Sequence, residues 1–227
     1  MTFCIVKIGG SLLDVSRDIV EGLVSRSERG DAFLVVPGGG PMADLVRRLY
    51  HEHRLSEETA HWMAILAMEE YGRFLADGTG AGMTCEIART ASGVEILLPY
   101  LPLMRDDREL ERTWEYTSDS VAALVAARLS ADLVKATDVD GVTLDGRIAD
   151  EISAEELIGL ETCIDQGSLR ILMRYGRSCL ILNGRDPQRF IASLRARKGG
   201  TLIRGRGVGR SGPDVRESLY PGIDQST

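Results

Sequence analysis

Phe3-Cys4-Ile5-Val6-Lys7-Ile8-Gly9-Gly10-Ser11 begins as an apolar run too short for a helix and ends in two glycines, the pattern of a buried strand leading into a tight turn. Glycine at a strand-to-helix turn lets backbone N–H groups approach an anion closely, and the dipole of the following helix favours negative charge there. A second turn of this kind, Pro37-Gly38-Gly39-Gly40, follows the apolar residues 32–36. One such turn has an ordinary reading as a tight connection. Two of them after strands, with Lys7 beside the first, point to two phosphates. The chain contains no G-x-x-x-x-G-K-[ST] loop and no G-x-G-x-x-G fingerprint, which disfavours the two commonest nucleotide folds.

Further apolar runs at 95–98, 133–136 and 179–182 read as buried strands. Helical patterns separate them at about 15–28, 42–53, 57–76, 119–130, 153–159, 166–175 and 187–197. The alternation predicts an α/β fold with a mostly parallel sheet, a single domain over 1–204 and a loose tail over 205–227. Ser56, Thr117 or Ser118, and Asp186 before Pro187 are helix-start signals. Asp145-Gly146 within 142–148 signals a hairpin that would close over a ligand. The stretch 99–116, with Pro99 and Pro102, is an excursion, either a hairpin or a lid.

The chain of 227 residues carries a formal net charge of −7, with 44% apolar and 27% charged residues. That balance describes a soluble globular protein and argues against a general nucleic-acid binder, which needs a basic face. The basic run from Arg195 to Arg210 reads as a solvated helix end. Cys4, Cys85, Cys163 and Cys179 show no metal-ligand spacing, so no protein-held metal is expected. With no signal segment and no apolar stretch long enough for a membrane span, the expected home is the cytoplasm.

In an open parallel sheet, ligands bind beyond the carboxyl ends of the strands. That rule adds Thr117-Ser118-Asp119-Ser120, Thr137-Asp138-Val139-Asp140-Gly141 and Asn183-Gly184-Arg185 to the two glycine turns. Lys7 is the first candidate to neutralise charge on a transferring phosphoryl group. Asp119 is either a favourable charge on a helix dipole or a carboxylate that anchors catalytic lysines or Mg²⁺. Asp138 and Asp140 offer the same chemistry or merely form a turn. Lys135 would emerge at a strand end into the same crevice, or lie on the surface. His61, on one helical face with Ile65 and Met68, is a packed residue or a ligand.

Lys7-Ile8-Gly9-Gly10-Ser11, Pro37-Gly38-Gly39-Gly40 and Thr137-Asp138-Val139-Asp140-Gly141-Val142, in this order and spacing, resemble the three signature segments of the amino acid kinase family over about residues 3–204. The resemblance implies a three-layer αβα sandwich around a central, mainly parallel sheet of about eight strands. About 1–130 would bind the acceptor and about 131–204 would bind ATP with Mg²⁺. It gives Lys7 the transferring phosphoryl and Asp119 the orientation of the lysines. Gly9, Gly10 and Ser11 would cradle nucleotide phosphates, and Gly38, Gly39 and Gly40 would line the acceptor site. Thr137, Asp138, Asp140, Gly141, Val142 and Asn183 would hold the nucleotide, with Lys135 similar to the lysine before this motif in bacterial uridylate kinases.

Trp114 to Ser120, Asn183 to Pro187 and the helix containing His61 resemble family members that add a second phosphate to an aminomethyl-furan phosphomonoester. For such an acceptor Arg185 or Arg47 would face phosphate, Glu115 or Asp119 the ammonium, and Trp114 the ring, with His61 and Ser118 nearby. Many members place a second catalytic lysine near 168–172. This chain offers Arg170 instead, a planar fork rather than a point charge. Uridylate kinases, isopentenyl phosphate kinases and non-catalytic storage proteins of the same fold are the competing resemblances. A homo-oligomer is implied, and no nucleic-acid or membrane partner.

Overall fold

A computed structural model describes residues 3–205. Ten strands alternate with eight helices and one 3-10 turn. The first half contains β1 (Phe3–Ile8), the 3-10 turn Gly10–Leu12, α1 (Ser16–Ser27), β2 (Ala32–Pro37), α2 (Gly40–His53), α3 (Glu57–Ala76), β3 (Gly82–Thr84), β4 (Gly93–Leu97) and α4 (Tyr100–Arg105). The second half contains α5 (Ser118–Arg128), β5 (Asp132–Thr137), β6 (Thr143–Leu144), β7 (Arg147–Ile148), β8 (Glu151–Ser153), α6 (Ala154–Leu157), α7 (Gln166–Tyr175), β9 (Ser178–Asn183), α8 (Pro187–Ala196) and β10 (Thr201–Arg204).

Eight strands form one sheet in the order β3-β4-β2-β1-β5-β9-β10-β8, and every neighbouring pair is parallel except β9 with β10. The alternation of side chains along β1 divides the core. Cys4, Val6 and Ile8 pack with α1, α8 and the end of α3 through Ile19, Leu23, Phe190 and Leu75. Ile5 faces the other way, toward α5 and α7 through Val121, Leu124, Leu169 and Leu172. Lys7 shares the face of Ile5, and on β5 Lys135 shares the face of Leu133. This three-layer α/β sandwich, with its eight-stranded mostly parallel sheet, is the architecture the sequence predicts.

The predicted strands and long helices form close to their expected bounds, and the Asp145-Gly146 turn closes the β6–β7 hairpin with φ of 49° and 76°. Three features differ from expectation. Strands β3, β8 and β10 have only three or four residues and no legible alternation. The helix expected over 153–159 is a single turn: a capping box of Ser153 and Glu156 starts it directly at the end of β8, and the extended backbone of Ile158 ends it. The excursion at 99–116 forms α4 and then an irregular strap, with no hairpin, since Pro102 sits comfortably in the first turn of a helix. The tail expected over 205–227 lies, beyond Gly205, outside the described residues. Among the described residues no helix is long and apolar enough to cross a membrane.

β10 reaches the nucleotide-motif segment through one hydroxyl. Thr201 is fully buried; its Oγ1 donates to the Ala149 carbonyl (2.5 Å) and accepts from the Val142 N–H (2.8 Å). Thr201→Val keeps the shape and strands both backbone groups. A destabilisation of about 2–6 kcal/mol is expected, from roughly 1–3 kcal/mol for each of the two groups left unpaired. Chemical denaturation of the variant tests this, and an unchanged midpoint would show that the hydroxyl does not hold this segment.

Candidate active site

Parallel pairing of β1 with β5 sets Lys7 directly beside Lys135. Both side chains rise toward α5, whose first turn carries Asp119, and all three residues are buried. The Lys135 ammonium donates to Asp119 Oδ2 and to the carbonyl of Cys163. Lys7 Nζ lies 2.6 Å from Asp119 Oδ1 without the alignment of a hydrogen bond, so that oxygen has no hydrogen-bond donor among the described residues.

The electrostatics follow this asymmetry. Burial would push the Asp119 carboxyl up, but the ammoniums of Lys135 and Lys7 hold it at about 2. Burial also works against both lysines. It prevails at Lys7, whose pKa falls below its ordinary value, and is overcome by Asp119 at Lys135, whose pKa rises. With both ammoniums protonated, two cations and one carboxylate leave one positive charge in excess. Lys7 is the cation left for an anionic ligand.

Immediately outside the trio the two glycine turns touch. A Cβ on Gly10 would lie 2.5 Å from Gly40 Cα, and Gly38 N–H donates to the Ile8 carbonyl (2.8 Å). Gly40 adopts φ 54°, a left-handed conformation that suits glycine. Gly9 N–H donates to the Ala136 carbonyl (3.1 Å), which ties this turn to β5. Gly10 and Ser11 begin the 3-10 turn, and Gly40 begins α2. The first N–H groups of a helix have no acceptor within it, so these turns offer donors to an anion.

Two regions flank this floor. On one side Asp138 pairs with Arg185 (3.2 Å); burial works against that carboxylate, yet the nearby Ser11 hydroxyl and the Arg185 guanidinium keep its pKa below the usual range. Asn183 Nδ2 donates to Asp140 Oδ1 (2.9 Å), Thr137 Oγ1 lies 3.3 Å from Asp138 Oδ1, and Gly141 packs so closely that a Cβ would lie 2.5 Å from Thr201 Oγ1. On the other side lies a cavity of about 440 Å³, the size range of small-metabolite sites. Gly10, Ser11, Gly39 and Gly40 form part of its lining, and His61, Trp114, Thr117 and Ser118 form part of its wall.

Arg47 stands with its guanidinium carbon 5.0 Å from the centre of the Trp114 ring, which also meets Tyr50 edge-on at 5.6 Å. Arg112, Asp44 and Glu57 also line the cavity, so it offers both signs of charge. His61 Nε2 is buried without a hydrogen-bond partner among the described residues, 3.9 Å from Asp107 Oδ2. Burial lowers the pKa of its imidazole, against the pull of Asp107.

The structure thus brings together Lys7, Asp119, Lys135 and the two glycine turns, between the cavity residues and the cluster around Asp138. Gly38 spends its N–H on the Ile8 carbonyl and does not line the cavity, and two further sequence candidates sit elsewhere. Arg170 is exposed, its guanidinium bonded to Glu115 (2.6 Å) and near the Tyr116 ring, away from the buried trio. Arg185 belongs with Asp138 and does not line the cavity. Glu115 points at Arg170, whereas Asp44 and Glu57, which the sequence did not single out, do line it. Asp165 and the Cys163 carbonyl were also missed, the first because an aspartate before a helix reads as an ordinary cap and the second because a backbone group leaves no sequence signal.

Residues 2–183 match the family model described as the amino acid kinase family. The chain is 30% identical over 205 residues to the [5-(aminomethyl)furan-3-yl]methyl phosphate kinase of Methanocaldococcus jannaschii, covering 85% of this chain and 93% of that protein. It is 25% identical over 224 residues to the uridylate kinase of Methanothermobacter thermautotrophicus, covering 88% and 98%. Among solved structures, uridylate kinase from Archaeoglobus fulgidus superposes with a TM-score of 0.69 at 21% identity, covering 89% of this chain and 100% of that one. UMP kinase from Ureaplasma parvum gives 0.69 at 16%, covering 90% and 100%.

The depressed Asp119 carboxyl sets a pH dependence. Its pKa falls from 3.8 to about 2 on folding, so its ion pairs stabilise the fold fully above about pH 4 and are lost as pH falls through 2. Asp119→Asn should be less stable than the parent at neutral pH, and the gap should close between about pH 4 and 2. Denaturant midpoints of both proteins across this window check it; parallel curves would show that Asp119 does not carry the linkage.

Proposed function

Because the chain belongs to the amino acid kinase family, we propose that it transfers a phosphoryl group from ATP to the phosphate of a small phosphomonoester, giving a diphosphate, with [5-(aminomethyl)furan-3-yl]methyl phosphate as the acceptor. The observation that carries this reading is the buried trio with one positive charge in excess, set between a metabolite-sized cavity and the cluster around Asp138. Phosphoryl transfer leaves little covalent work to the protein. It requires two anions to be held in line and their mutual repulsion to be neutralised.

ATP supplies the phosphoryl group. The residues toward it fit: Gly9, Gly10 and Ser11 present a turn with no room for a Cβ at Gly10, and Thr137, Asp138, Asp140, Gly141, Val142 and Asn183 lie at the ends of β5 and β9. Mg²⁺ usually needs only one or two carboxylates beside the nucleotide's phosphates. Asp138 and Asp140 are available for that.

On the acceptor side, Gly39 and Gly40 with Arg47 or Arg112 meet the phosphate. Trp114 gives the ring a flat wall once Arg47 turns from it to the phosphate, and Asp44 or Glu57 accepts from the ammonium. Lys7, whose ammonium burial disfavours, gains most when the phosphoryl group brings negative charge beside it. Asp119 keeps both lysines aimed at that point.

A coupled assay of ADP release with Mg-ATP, run against the furan phosphate, UMP, isopentenyl phosphate and N-acetylglutamate, tests the proposal. The furan phosphate should give the highest kcat/KM, and Lys7→Ala should lower turnover by about 100- to 1,000-fold, the scale for removing one donor to developing charge. Preference for UMP would overturn the acceptor. ADP release from none of the four, or a fully active Lys7→Ala protein, would overturn the kinase reading.

A further inference from the structure

Asp165 precedes α7 and accepts from Ser168 N–H at 2.6 Å, which makes it the N-cap of that helix. One oxygen accepting one N–H would satisfy a cap. Asp165 takes on much more. Oδ1 also accepts from the hydroxyls of Ser168 (2.6 Å) and Ser120 (2.7 Å). Oδ2 accepts from Thr117 N–H (2.9 Å), Thr117 Oγ1 (2.6 Å) and Ser120 N–H (3.2 Å). One carboxylate therefore closes the N-termini of two helices, α7 and α5, with the positive ends of both dipoles turned toward it.

Asp119 stands between Thr117, the N-cap of α5, and Ser120, the two residues that Asp165 grips. The grip is reinforced along the same segment. Gly167 N–H donates to the Glu115 carbonyl (2.9 Å), and a Cβ on Gly167 would lie 2.4 Å from Ser120 Oγ and 2.5 Å from Tyr116, so α7 seats directly on residues 115–120. Arg170 adds its bond to Glu115. Two residues before Asp165, the Cys163 carbonyl accepts from Lys135. The start of α7 thus holds both the carboxylate of the trio and one of its lysines.

We propose that Asp165 is a positioning residue for phosphoryl transfer: by binding the first turn of α5 it fixes Asp119, and through Asp119 the ammonium of Lys7. This rests on the kinase reading above. It also recasts Arg170, which acts through Glu115 on the same clamp and does not stand at the transferring group. The charged groups facing Lys7 are Asp119 from α5, Lys135 from β5 and Asp165 from the approach to α7. Asp165 has an electrostatic effect on Lys7 as well as a geometric one on Asp119.

The test is Asp165→Asn in the full chain, assayed with Mg-ATP and [5-(aminomethyl)furan-3-yl]methyl phosphate. The amide turns an NH₂ group toward donors that had an oxygen to share. A fall in kcat on the order of 100-fold is expected, the scale of a small misplacement at the reacting centre, with the KM for ATP little changed. The alkaline limb of the kcat profile should move to lower pH, because Lys7 loses a negative neighbour.

Two further variants separate positioning from plain helix capping, and decide the matter if the asparagine protein does not fold. Ser120→Ala cuts a link to α5 and should lower kcat in the same direction. Ser168→Ala removes one hydroxyl bond to Asp165 on the α7 side and leaves the bonds of that carboxylate to Thr117 and Ser120, so kcat should fall far less than in Ser120→Ala. A folded Asp165→Asn protein with the parent's kcat and alkaline limb, or equal losses of kcat in the two serine variants, would overturn the inference. If Lys7→Ala is inactive while Asp165→Asn behaves as the parent, only the positioning role fails; if Lys7→Ala is fully active, the kinase reading fails and takes this inference with it.

Discussion

Two lysine ammoniums and one carboxylate are buried between the sheet and α5, and the surrounding structure is arranged to make that tolerable. Removing charges from water costs several kcal/mol per ion, and a buried ion pair is often no better for stability than apolar residues of the same volume. Stability alone gives the fold no reason to keep Lys7, Lys135 and Asp119 there. Three charges cannot neutralise one another, and the remainder falls on Lys7, the lysine that burial lowers. The site is therefore built with an electrostatic deficit that an anion relieves.

That deficit requires stiffness around it. A free ammonium or carboxylate would turn toward water if the backbone allowed it. α5 prevents this because its residues from Asp119 to Ala126 are all buried, and its small side chains let it lie close on β1 and β5. β1 and β5 in turn are interior strands, each paired on both sides. The two glycine turns then bring backbone N–H donors to the same place, and they fit because Gly10 lacks a side chain and Gly40 takes a left-handed φ.

Much of this was legible in the sequence, and the reason differs for each part. β1, β2, β5 and β9 are apolar runs ending in turn residues, and buried parallel strands leave that signature. Strands β3, β8 and β10 are too short to leave one. Lys7, Asp119 and Lys135 stood out singly, by their places near strand ends or a helix start. Their meeting depends on the β1–β5 register, which joins positions 128 residues apart and has no local code. The cavity wall was read in part. Trp114, Thr117 and Ser118 were visible as one segment before a helix and His61 as a histidine on the face of Ile65 and Met68, whereas Asp44 and Glu57 look like any solvated helix charges until α2 and α3 are packed together.

The division of labour between sheet and strap explains why the members of the buried trio were easier to read than the cavity wall. The trio and the glycine turns sit on strand ends, where the pleat decides which way a side chain points. The cavity is closed by 106–117, an irregular strap held by ion pairs: Arg112 to Glu58 and Asp107, and Arg128 to Asp106. Such exposed or half-exposed pairs contribute little stability individually and are easily exchanged in sequence. A fold built this way can change its acceptor by altering strap and helix residues while Lys7 and its partners stay in place. The charged and aromatic part of the cavity lining, Trp114, Arg47, Arg112, Asp44 and Glu57, is set by the packing of strap and helices, and the strand pattern alone determines none of it.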